Sequence, residues 1–323
     1  MLSGVFPIVV NQCVGSLLPK ITFKLLAEPR MTKNLHLDHI EDSILTGDLS
    51  AIDILFNPKY MSVKMDGAPA IVWGTDPATG TFFVGTKAVF NKKKIRIAHS
   101  HDEIDQHYTG FVAEVLHTCF KYLPRTDAVY QGEFIGFGNG KDFKSNLITY
   151  KFSETVTEKL IIAPHTFYTG ENDLREMVAH PLFDMFDPHP KIKWVQPSVD
   201  KVRGNLSAPK INTRKIKFLS KKEAEKRKTS INLCIDQGIP LTDEILIAIL
   251  GDIHLVNLYF MVLEMKEEFI DSLIITDAPV SMVGPMKIKH EGFVISDGKT
   301  TVKVVDREVF SCLNFNMPKN WTS

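Results

Sequence analysis

Hydrophobic residues recur at helical spacing at two places in the first half of the chain. Leu37, Ile40 and Ile44 fall on one face of a helix. Residues 111–122 repeat this spacing, with Phe111 on the apolar face. Both patterns predict short amphipathic helices that pack against a core.

Runs rich in β-branched and aromatic residues, separated by glycine and proline, indicate strands elsewhere. These runs cover residues 60–73 (with a turn at Gly67 and Pro69), 81–84, 128–134, 160–169, 290–296 and 301–306. Residues 75–80 and 297–300 have the composition of hairpin turns. We therefore expect an α+β fold, mainly of antiparallel strands with helices packed on the faces.

The stretch 171–285 has a different pattern. It carries few strand signals and shows helical spacing at about residues 219–236 and 242–273. Its most apolar part, residues 245–263, contains Asp252, which would cost about 3 kcal/mol at a bilayer centre, so we interpret it as a buried core helix. The pattern predicts a helical insertion at about 171–285 within one domain of residues 31–312.

The composition is that of an ordinary globular chain, with 323 residues, 38 lysines and arginines, and 38 aspartates and glutamates. Disorder is excluded, and so is a uniformly basic nucleic-acid coat. The four cysteines form no CxxC pair, which argues against a zinc ribbon and fits a reducing, cytoplasmic location. We expect a monomer without a membrane partner. Residues 1–30 are expected to be a poorly ordered extension or a misassigned start, and residues 313–323 a tail.

Three short strings contain residues suited to nucleotide chemistry. They are Lys64-Met-Asp-Gly67, Gly132-Glu133-Phe134 and Glu291-Gly-Phe-Val294, the last followed by Lys303. A lysine attacks the α-phosphorus of a nucleoside triphosphate only as the neutral amine, so burial or nearby positive charge must lower its pKa. Val63 and Met65 flank Lys64 and can desolvate it, while Lys303 can supply the charge. The pyrophosphate leaving group needs a divalent cation, for which Glu291 is a suitable ligand.

The order and spacing of these strings resemble the covalent nucleotidyltransferase superfamily, which includes ATP-dependent DNA ligases, RNA ligases and mRNA capping enzymes. With the string Phe83-Val-Gly-Thr-Lys-Ala-Val-Phe-Asn91, they are most similar to ligase-like proteins of large tailed phages. The resemblance covers about residues 31–170 and 285–312. It implies an ATP-grasp-like adenylation fold, ATP and Mg²⁺ (or Mn²⁺) as cofactors, and the host cytoplasm as location for a viral protein.

The resemblance also implies roles for the charged residues of the strings. Lys64 would become the lysyl-adenylate, and Lys303 would contact the α-phosphate. Glu291 would bind the metal, and Glu133 would hold the ribose or help to bind the metal.

Further ATP-binding positions follow from the same resemblance. Asp66, Gly67 and Lys87 would bind the cofactor. An aromatic residue of the strand 161–168 would stack on the base, and we choose Phe167. Because Phe167 and Tyr168 face opposite sides of a strand, only one of them can stack.

The sequence departs from the family pattern in three places. Pro69 stands where DNA ligases and capping enzymes usually carry an arginine, and Lys87 or Arg96 would have to supply that charge. Val305 stands where a second lysine is usual, with Lys299 as a stand-in. We also expect no C-terminal oligonucleotide-binding barrel. This disfavours a capping enzyme, and it favours an RNA-ligase-like enzyme over a DNA ligase.

A basic segment lies inside the insertion. Residues 201–228 contain eleven lysines and arginines against two glutamates. We predict that nucleic acid contacts Arg214, Lys215, Lys217, Lys221 and Lys222, called the basic patch below. The alternative is a solvated helix face whose charge is balanced elsewhere.

The sequence thus predicts an ATP-dependent polynucleotide ligase that seals 5′-phosphate and 3′-hydroxyl ends through a lysyl-AMP intermediate. RNA is favoured as the substrate, and a nick-sealing DNA ligase is the near alternative. A non-catalytic nucleic-acid-binding relative is a rival that Pro69 and Val305 support. A protein AMP-transferring enzyme is a second rival, which the basic patch disfavours.

Overall fold

A computed structural model describes residues 37–201 and 208–307 of the chain. The predictions for residues 1–30 and 313–323 lie outside the described residues.

The described residues form a mixed α+β fold. The helices are α1 (Ile40–Ser43), α2 (Ser50–Phe56), α3 (His101–His107), α4 (Gly110–Tyr122), α5 (Lys221–Asp236), α6 (Asp243–Leu250) and α7 (Ile253–Asp271). The first strands are β1 (Tyr60–Lys64), β2 (Ala70–Thr75), β3 (Phe82–Gly85), β4 (Val129–Gly136), β5 (Gly140–Lys144), β6 (Thr149–Val156) and β7 (Leu160–Thr169). They are followed by β8 (Val178–Pro181), β9 (Ile192–Trp194), β10 (Ser198–Lys201), β11 (Leu273–Thr276), β12 (Val280–Val283), β13 (Met286–Lys287), β14 (Gly292–Ser296) and β15 (Thr301–Val305).

The strands are arranged in four sheets, and nearly all pairs are antiparallel. The largest sheet has six strands, in the order β3-β2-β4-β7-β8, with β9 pairing parallel to β7. A three-stranded sheet has the order β1-β14-β15. Two smaller sheets have the orders β13-β12-β6-β5 and β10-β11. The predicted pair at residues 290–306 is present as β14 and β15, joined by the predicted turn.

The string Lys64-Met-Asp-Gly67 connects the two principal sheets. Strand β1 pairs with β14, whereas β2 pairs with β3 and β4, so the two strands do not form a hairpin with each other. An ideal Cβ on Gly67 would lie 2.6 Å from the Phe134 carbonyl oxygen and 2.7 Å from the Glu133 Cβ. Only glycine allows so close an approach, and this brings β4 against the end of β1.

The hydrophobic core has two main parts. One lies between the three-stranded sheet and helices α1, α2 and α5–α7, where Ile40 and Ile44 are fully buried as predicted. The other lies behind the six-stranded sheet, where α4 buries Val115, Leu116 and Cys119. Phe111 was predicted on this buried face, but it is 48% exposed because it lies in the first turn of the helix.

The predicted boundaries of the helical insertion are wrong on both sides, because β12 at the C-terminal side also lies within 171–285 and pairs with β6. Strands β8 and β9 lie within 171–285, and both pair with β7 in the six-stranded sheet. These strands are short, so their alternation is too brief to stand out in the sequence. The helical part runs from Lys221 to Asp271, and its helices pack in the same core as α1 and α2.

The apolar stretch 245–263 forms parts of two helices. Gly251 ends α6 with a left-handed φ of 77°, and the Asp252 carboxylate accepts a hydrogen bond from the Leu255 N–H to cap α7. This Gly-Asp pair is a common helix stop and start. Among the described residues, no helix combines the length and apolarity needed to cross a membrane.

Candidate active site

A cleft of about 890 Å³ lies between the three-stranded and six-stranded sheets. The predicted residues Lys64, Lys87, Glu133, Glu291 and Lys303 all line it. They come from five separate segments of the chain, so the fold brings together residues that are far apart in sequence. A concave site with a few convergent polar groups is the usual form of a small-molecule site.

Lys64 and Glu291 form an ion pair in the cleft. Lys64 is opposite Gly292 in the β1–β14 register, which places Glu291 beside it, and the Lys64 Nζ lies 2.5 Å from the Glu291 Oε1. Burial lowers the pKa of Lys64, but the Glu291 carboxylate, together with the charges of Asp66 and Glu133, outweighs burial, and the net shift is upward. The unliganded protein therefore holds Lys64 as an ammonium ion.

Asp66 lies behind Lys64 in a connection held by hydrogen bonds. The Asp66 N–H donates to the Tyr150 hydroxyl at 2.7 Å, and the Ser145 hydroxyl donates to the Asp66 carbonyl oxygen at 2.8 Å. Burial, helped by the Glu291 charge, raises the pKa of Asp66 to about 6. Asp66 is not among the cleft-lining residues, so its contacts fix the backbone that follows Lys64.

Gly67 and Glu133 are positioned by the same connection. The Ala68 N–H donates to the Phe134 carbonyl oxygen at 3.2 Å, and the Phe134 N–H donates to the Pro69 carbonyl oxygen at 3.1 Å. Gly67 thus has a packing role, and no cleft contact is found for it. Glu133 points into the cleft from β4.

Lys303 lines the cleft from β15. It is opposite Val294 in the β14–β15 register. Burial lowers the pKa of Lys303, and the positive charges of Lys64 and Arg307 lower it further. The cleft therefore contains two lysines near Glu291, and the positive charge of each lysine lowers the pKa of the other.

Lys87 lies in a short 3₁₀ turn, Lys87–Phe90, which the Thr86 hydroxyl caps. Phe90 and Asn91 line the cleft beside it. Lys87 is thus placed at the cleft as predicted.

Phe167 does not line the cleft, and the choice of Phe167 as the base-stacking residue is not supported. It packs with the core behind the six-stranded sheet and stacks on His180 with ring centroids 5.0 Å apart. Tyr168, on the opposite face of β7, lines the cleft and packs on Phe90 with centroids 4.6 Å apart. Strand alternation allowed either residue, and the structure places Tyr168 rather than Phe167 among the residues that line the cleft.

Several polar residues that line the cleft were not predicted, and three of them are Gln131, His165 and His39. The His165 Nε2 lies 3.3 Å from the Glu133 Oε1, and the Tyr168 hydroxyl donates to the Gln131 Oε1 at 2.6 Å. Gln131 could have been found from sequence, because it is two residues before Glu133 on the same strand face. His165 could not, because the β4–β7 register shifts there. The third residue, His39, lines the cleft beside Lys303.

The carboxylates fit a divalent cation only in part. The Glu291 Oε2 is buried and has no hydrogen-bond partner in the described residues, which suits a cation ligand. Glu133 is the second carboxylate lining the cleft. However, no group of three or more His, Cys, Asp or Glu side chains in residues 37–201 and 208–307 is placed to hold a metal. A Mg²⁺ ion would therefore need phosphate oxygens as additional ligands.

The basic patch is solvent-exposed. Arg214, Lys215 and Lys217 precede α5, and Lys221 and Lys222 occupy its first turn. The partial positive charge at the N-terminus of a helix repels lysines in its first turn, so Lys221 and Lys222 do not stabilise α5.

The C-terminal side of the same basic segment contacts Asp38, which lies in the chain between the cleft-lining residues Leu37 and His39. The Lys228 Nζ lies 3.0 Å from the Asp38 Oδ1 and 2.8 Å from the Glu225 Oε1. The Asp38 carbonyl oxygen in turn accepts a hydrogen bond from the Lys303 N–H at 3.1 Å.

The fold and cleft define an α+β protein with a partly buried lysine–glutamate pair between two mainly antiparallel sheets. Residues 34–248 and 250–319 match a family model described as "Family of unknown function (DUF6267)", and the chain belongs to this family. Neither a curated protein nor a solved structure gives a significant match.

Proposed function

We propose that this protein is an ATP-dependent polynucleotide ligase. The observation that carries the proposal is the Lys64–Glu291 pair, which lies in the cleft with Lys303 and Glu133. A lysine that lies in a cleft with a carboxylate and a second lysine is suited to covalent chemistry on a phosphate. The preference for RNA over DNA rests on the sequence resemblance alone.

The proposed reaction has three steps. The Lys64 Nζ attacks the α-phosphorus of ATP, so that an N–P bond forms and pyrophosphate leaves with the electrons of the broken P–O bond. An oxygen of a 5′-phosphate strand then attacks the lysine-bound AMP and releases Lys64. Finally, a 3′-hydroxyl attacks the activated 5′-phosphorus, AMP leaves, and the strands are joined.

Lys64 must lose a proton before the first step. In the unliganded protein Glu291 holds that proton on Nζ through the ion pair. Lys303 and the burial of the amine act in the opposite direction and favour the neutral form. Lys64 becomes nucleophilic when its contact with the Glu291 charge is weakened.

Glu291, with Glu133 as a second carboxylate, would hold Mg²⁺ together with phosphate oxygens of ATP. When bound, the ion would supply positive charge that neutralises the leaving pyrophosphate. Lys303 would orient a phosphate group in the cleft, and Lys87, in the 3₁₀ turn that follows β3 of the six-stranded sheet, would contact the nucleotide.

The basic patch supports a nucleic-acid substrate. Its lysines and arginine are exposed, and the segment continues to Lys228, which contacts Asp38 next to the cleft-lining His39. A strand that contacts these charges can extend into the cleft. Binding through phosphates predicts a strong dependence on salt.

A strand-joining assay tests the proposed activity, and a strand-binding assay at several salt concentrations tests the role of the basic patch. Wild type is expected to join 5′-phosphate RNA more efficiently than nicked DNA, and Lys64→Ala is expected to join neither. A Lys221→Glu/Lys222→Glu variant should bind single strands with a lower salt slope, by about 0.7 for each lost contact. The matched control is Lys121→Glu/Lys159→Glu, which changes two exposed lysines on α4 and before β7.

Two results would contradict this proposal. One is joining by Lys64→Ala at the wild-type rate. The other is salt-sensitive strand binding by a wild type that joins no strand, which would favour the non-catalytic relative. Val305 favours this second candidate, because its side chain occupies the cleft where the family carries a lysine. Lys299, the predicted stand-in, lies in the exposed turn after β14 and does not line the cleft.

A further inference from the structure

His39 is a cleft residue that the reaction described above does not use. It precedes α1 and forms a parallel bridge with Lys303, whose backbone N–H donates to the Asp38 carbonyl oxygen at 3.1 Å. The backbone therefore fixes His39 beside the lysine that is expected to hold a phosphate. The side chain lines the same cleft as Lys64.

One ring nitrogen of His39 has no role inside the protein. Nδ1 is buried and makes no hydrogen bond within the described residues. An unpaired buried N–H is rarer and more costly than an unpaired lone pair. We therefore assign the ring hydrogen to Nε2, which makes Nε2 the nitrogen that can donate to a ligand.

The charges around His39 are positive. Burial holds the pKa of His39 far below its ordinary value, and Arg307, Lys303, Lys266 and Lys64 lower it further. The imidazole is therefore neutral at physiological pH, so the neighbouring positive charges do not repel it. Lys64, Lys266 and Arg307 are each paired with a carboxylate, whereas Lys303 has no ion-pair partner among the described residues. A neutral N–H donor beside this lysine is suited to an anion.

We propose that His39 contacts the substrate by donating a hydrogen bond from Nε2 to a phosphate oxygen of a nucleotide held beside Lys303. The chemical class of the ligand is a polyphosphate, and the pyrophosphate part of ATP is the matching group. The identity of that ligand rests on the proposed function, whereas the anion contact itself does not.

Binding of inorganic pyrophosphate to the full chain, measured by calorimetry without ATP, tests this contact. Wild type is expected to bind, and His39→Ala should bind about tenfold more weakly, since a hydrogen bond to a charged group is lost. The amide nitrogen of glutamine can reach the position of Nε2, whereas that of asparagine lies nearer Nδ1. His39→Gln should therefore retain most of the affinity, and His39→Asn should lose it.

Leu37→Ala is the matched control. Leu37 lines the same edge of the cleft and has no hydrogen-bond donor, so its truncation should leave pyrophosphate affinity unchanged. Thermal unfolding of each variant separates loss of the fold from loss of the contact. If His39→Ala does not fold, the glutamine and asparagine variants carry the comparison.

Four results would overturn the proposal: no binding by the wild type, unchanged affinity in His39→Ala, equal losses in the glutamine and alanine variants, or an equal loss in Leu37→Ala. Failure of the ligase proposal gives a different result. In that case pyrophosphate binding still depends on His39, but no AMP becomes attached to Lys64.

Discussion

At the scale of single residues, the proposed chemistry depends on the contact between Lys64 and Glu291. The short strings around both residues are recognisable in the sequence, because each reactive side chain lies next to a glycine or a strand end. Their pairing is a property of the fold, since Lys64 is opposite Gly292 only through the β1–β14 register. The contact makes Lys64 a protonated amine until Glu291 is engaged elsewhere.

This protonation state can be measured directly. Because Glu291 raises the pKa of Lys64, labelling of its neutral amine by acetic anhydride should rise only at high pH. In Glu291→Gln, burial and Lys303 are opposed only by the weaker effects of Asp66 and Glu133, so the labelling profile should shift to lower pH. Lys59, an exposed lysine just before β1, is an internal reference whose profile should not change.

Peptide mass spectrometry across a pH series gives both profiles from one sample. An unchanged Lys64 profile in Glu291→Gln would show that Glu291 does not control the proton on Lys64.

The residue scale also shows what sequence could not predict. Phe167 and Tyr168 are adjacent aromatic residues on one strand, and nothing local distinguishes which of them faces the cleft. The role of His39 was hidden as well, because its distance from Lys303 depends on a bridge between segments more than two hundred residues apart. The sequence shows which residue types stand at these positions, whereas tertiary packing determines which of the side chains face the cleft.

At the scale of elements, helix α7 holds the strand that carries Lys303. The Lys266 Nζ donates to the Val305 carbonyl oxygen at 3.1 Å and to the Glu41 Oε1 at 3.0 Å. Arg307 extends this buried network to Asp42, with an Nη1–Oδ1 distance of 3.0 Å. The helical insertion therefore supports the end of β15, which gives it a structural role beside the cleft.

Loss of this buried pair should be costly. Lys266 is 4% exposed and Glu41 is 1% exposed, so Lys266→Ala leaves a buried carboxylate without its main partner. We expect the free energy of unfolding to fall by about 3 kcal/mol. The control is Lys289→Ala, which breaks an exposed pair with Asp271 and should cost less than about 1 kcal/mol.

Urea unfolding of the two variants and the wild type measures both values. Equal losses in Lys266→Ala and Lys289→Ala would contradict the structural role given to the buried network.

Strand length alone does not decide which strands the sequence predicts, because the eight-residue strand β6 was missed. The ten-residue strand β7 was predicted at its observed limits, because its long run of apolar, β-branched and aromatic residues gives a strong signal. The four-residue strand β8 and three-residue strand β9 were missed and assigned to the insertion. Such strands are stabilised by pairing with β7, which is information that their own sequences do not contain.

At the scale of the whole molecule, the site is made by bringing two sheets together. The connection through Gly67 passes from the three-stranded to the six-stranded sheet, and the cleft lies between them. Hydrophobic patterning could predict strands and helices, but not which strands share a sheet. The segments β1 and β2 therefore looked like one hairpin in the sequence and are in different sheets.

The central claim is that Lys64 forms a covalent bond with AMP. The most direct test is the intact mass of the full chain after incubation with ATP and Mg²⁺ or Mn²⁺, starting from protein shown to carry no AMP. We expect a gain of about 329 Da, the mass of one AMP residue, in the wild type and in Lys59→Ala, and none in Lys64→Ala. No gain in the wild type with either cation, or an equal gain in Lys64→Ala, would contradict the account.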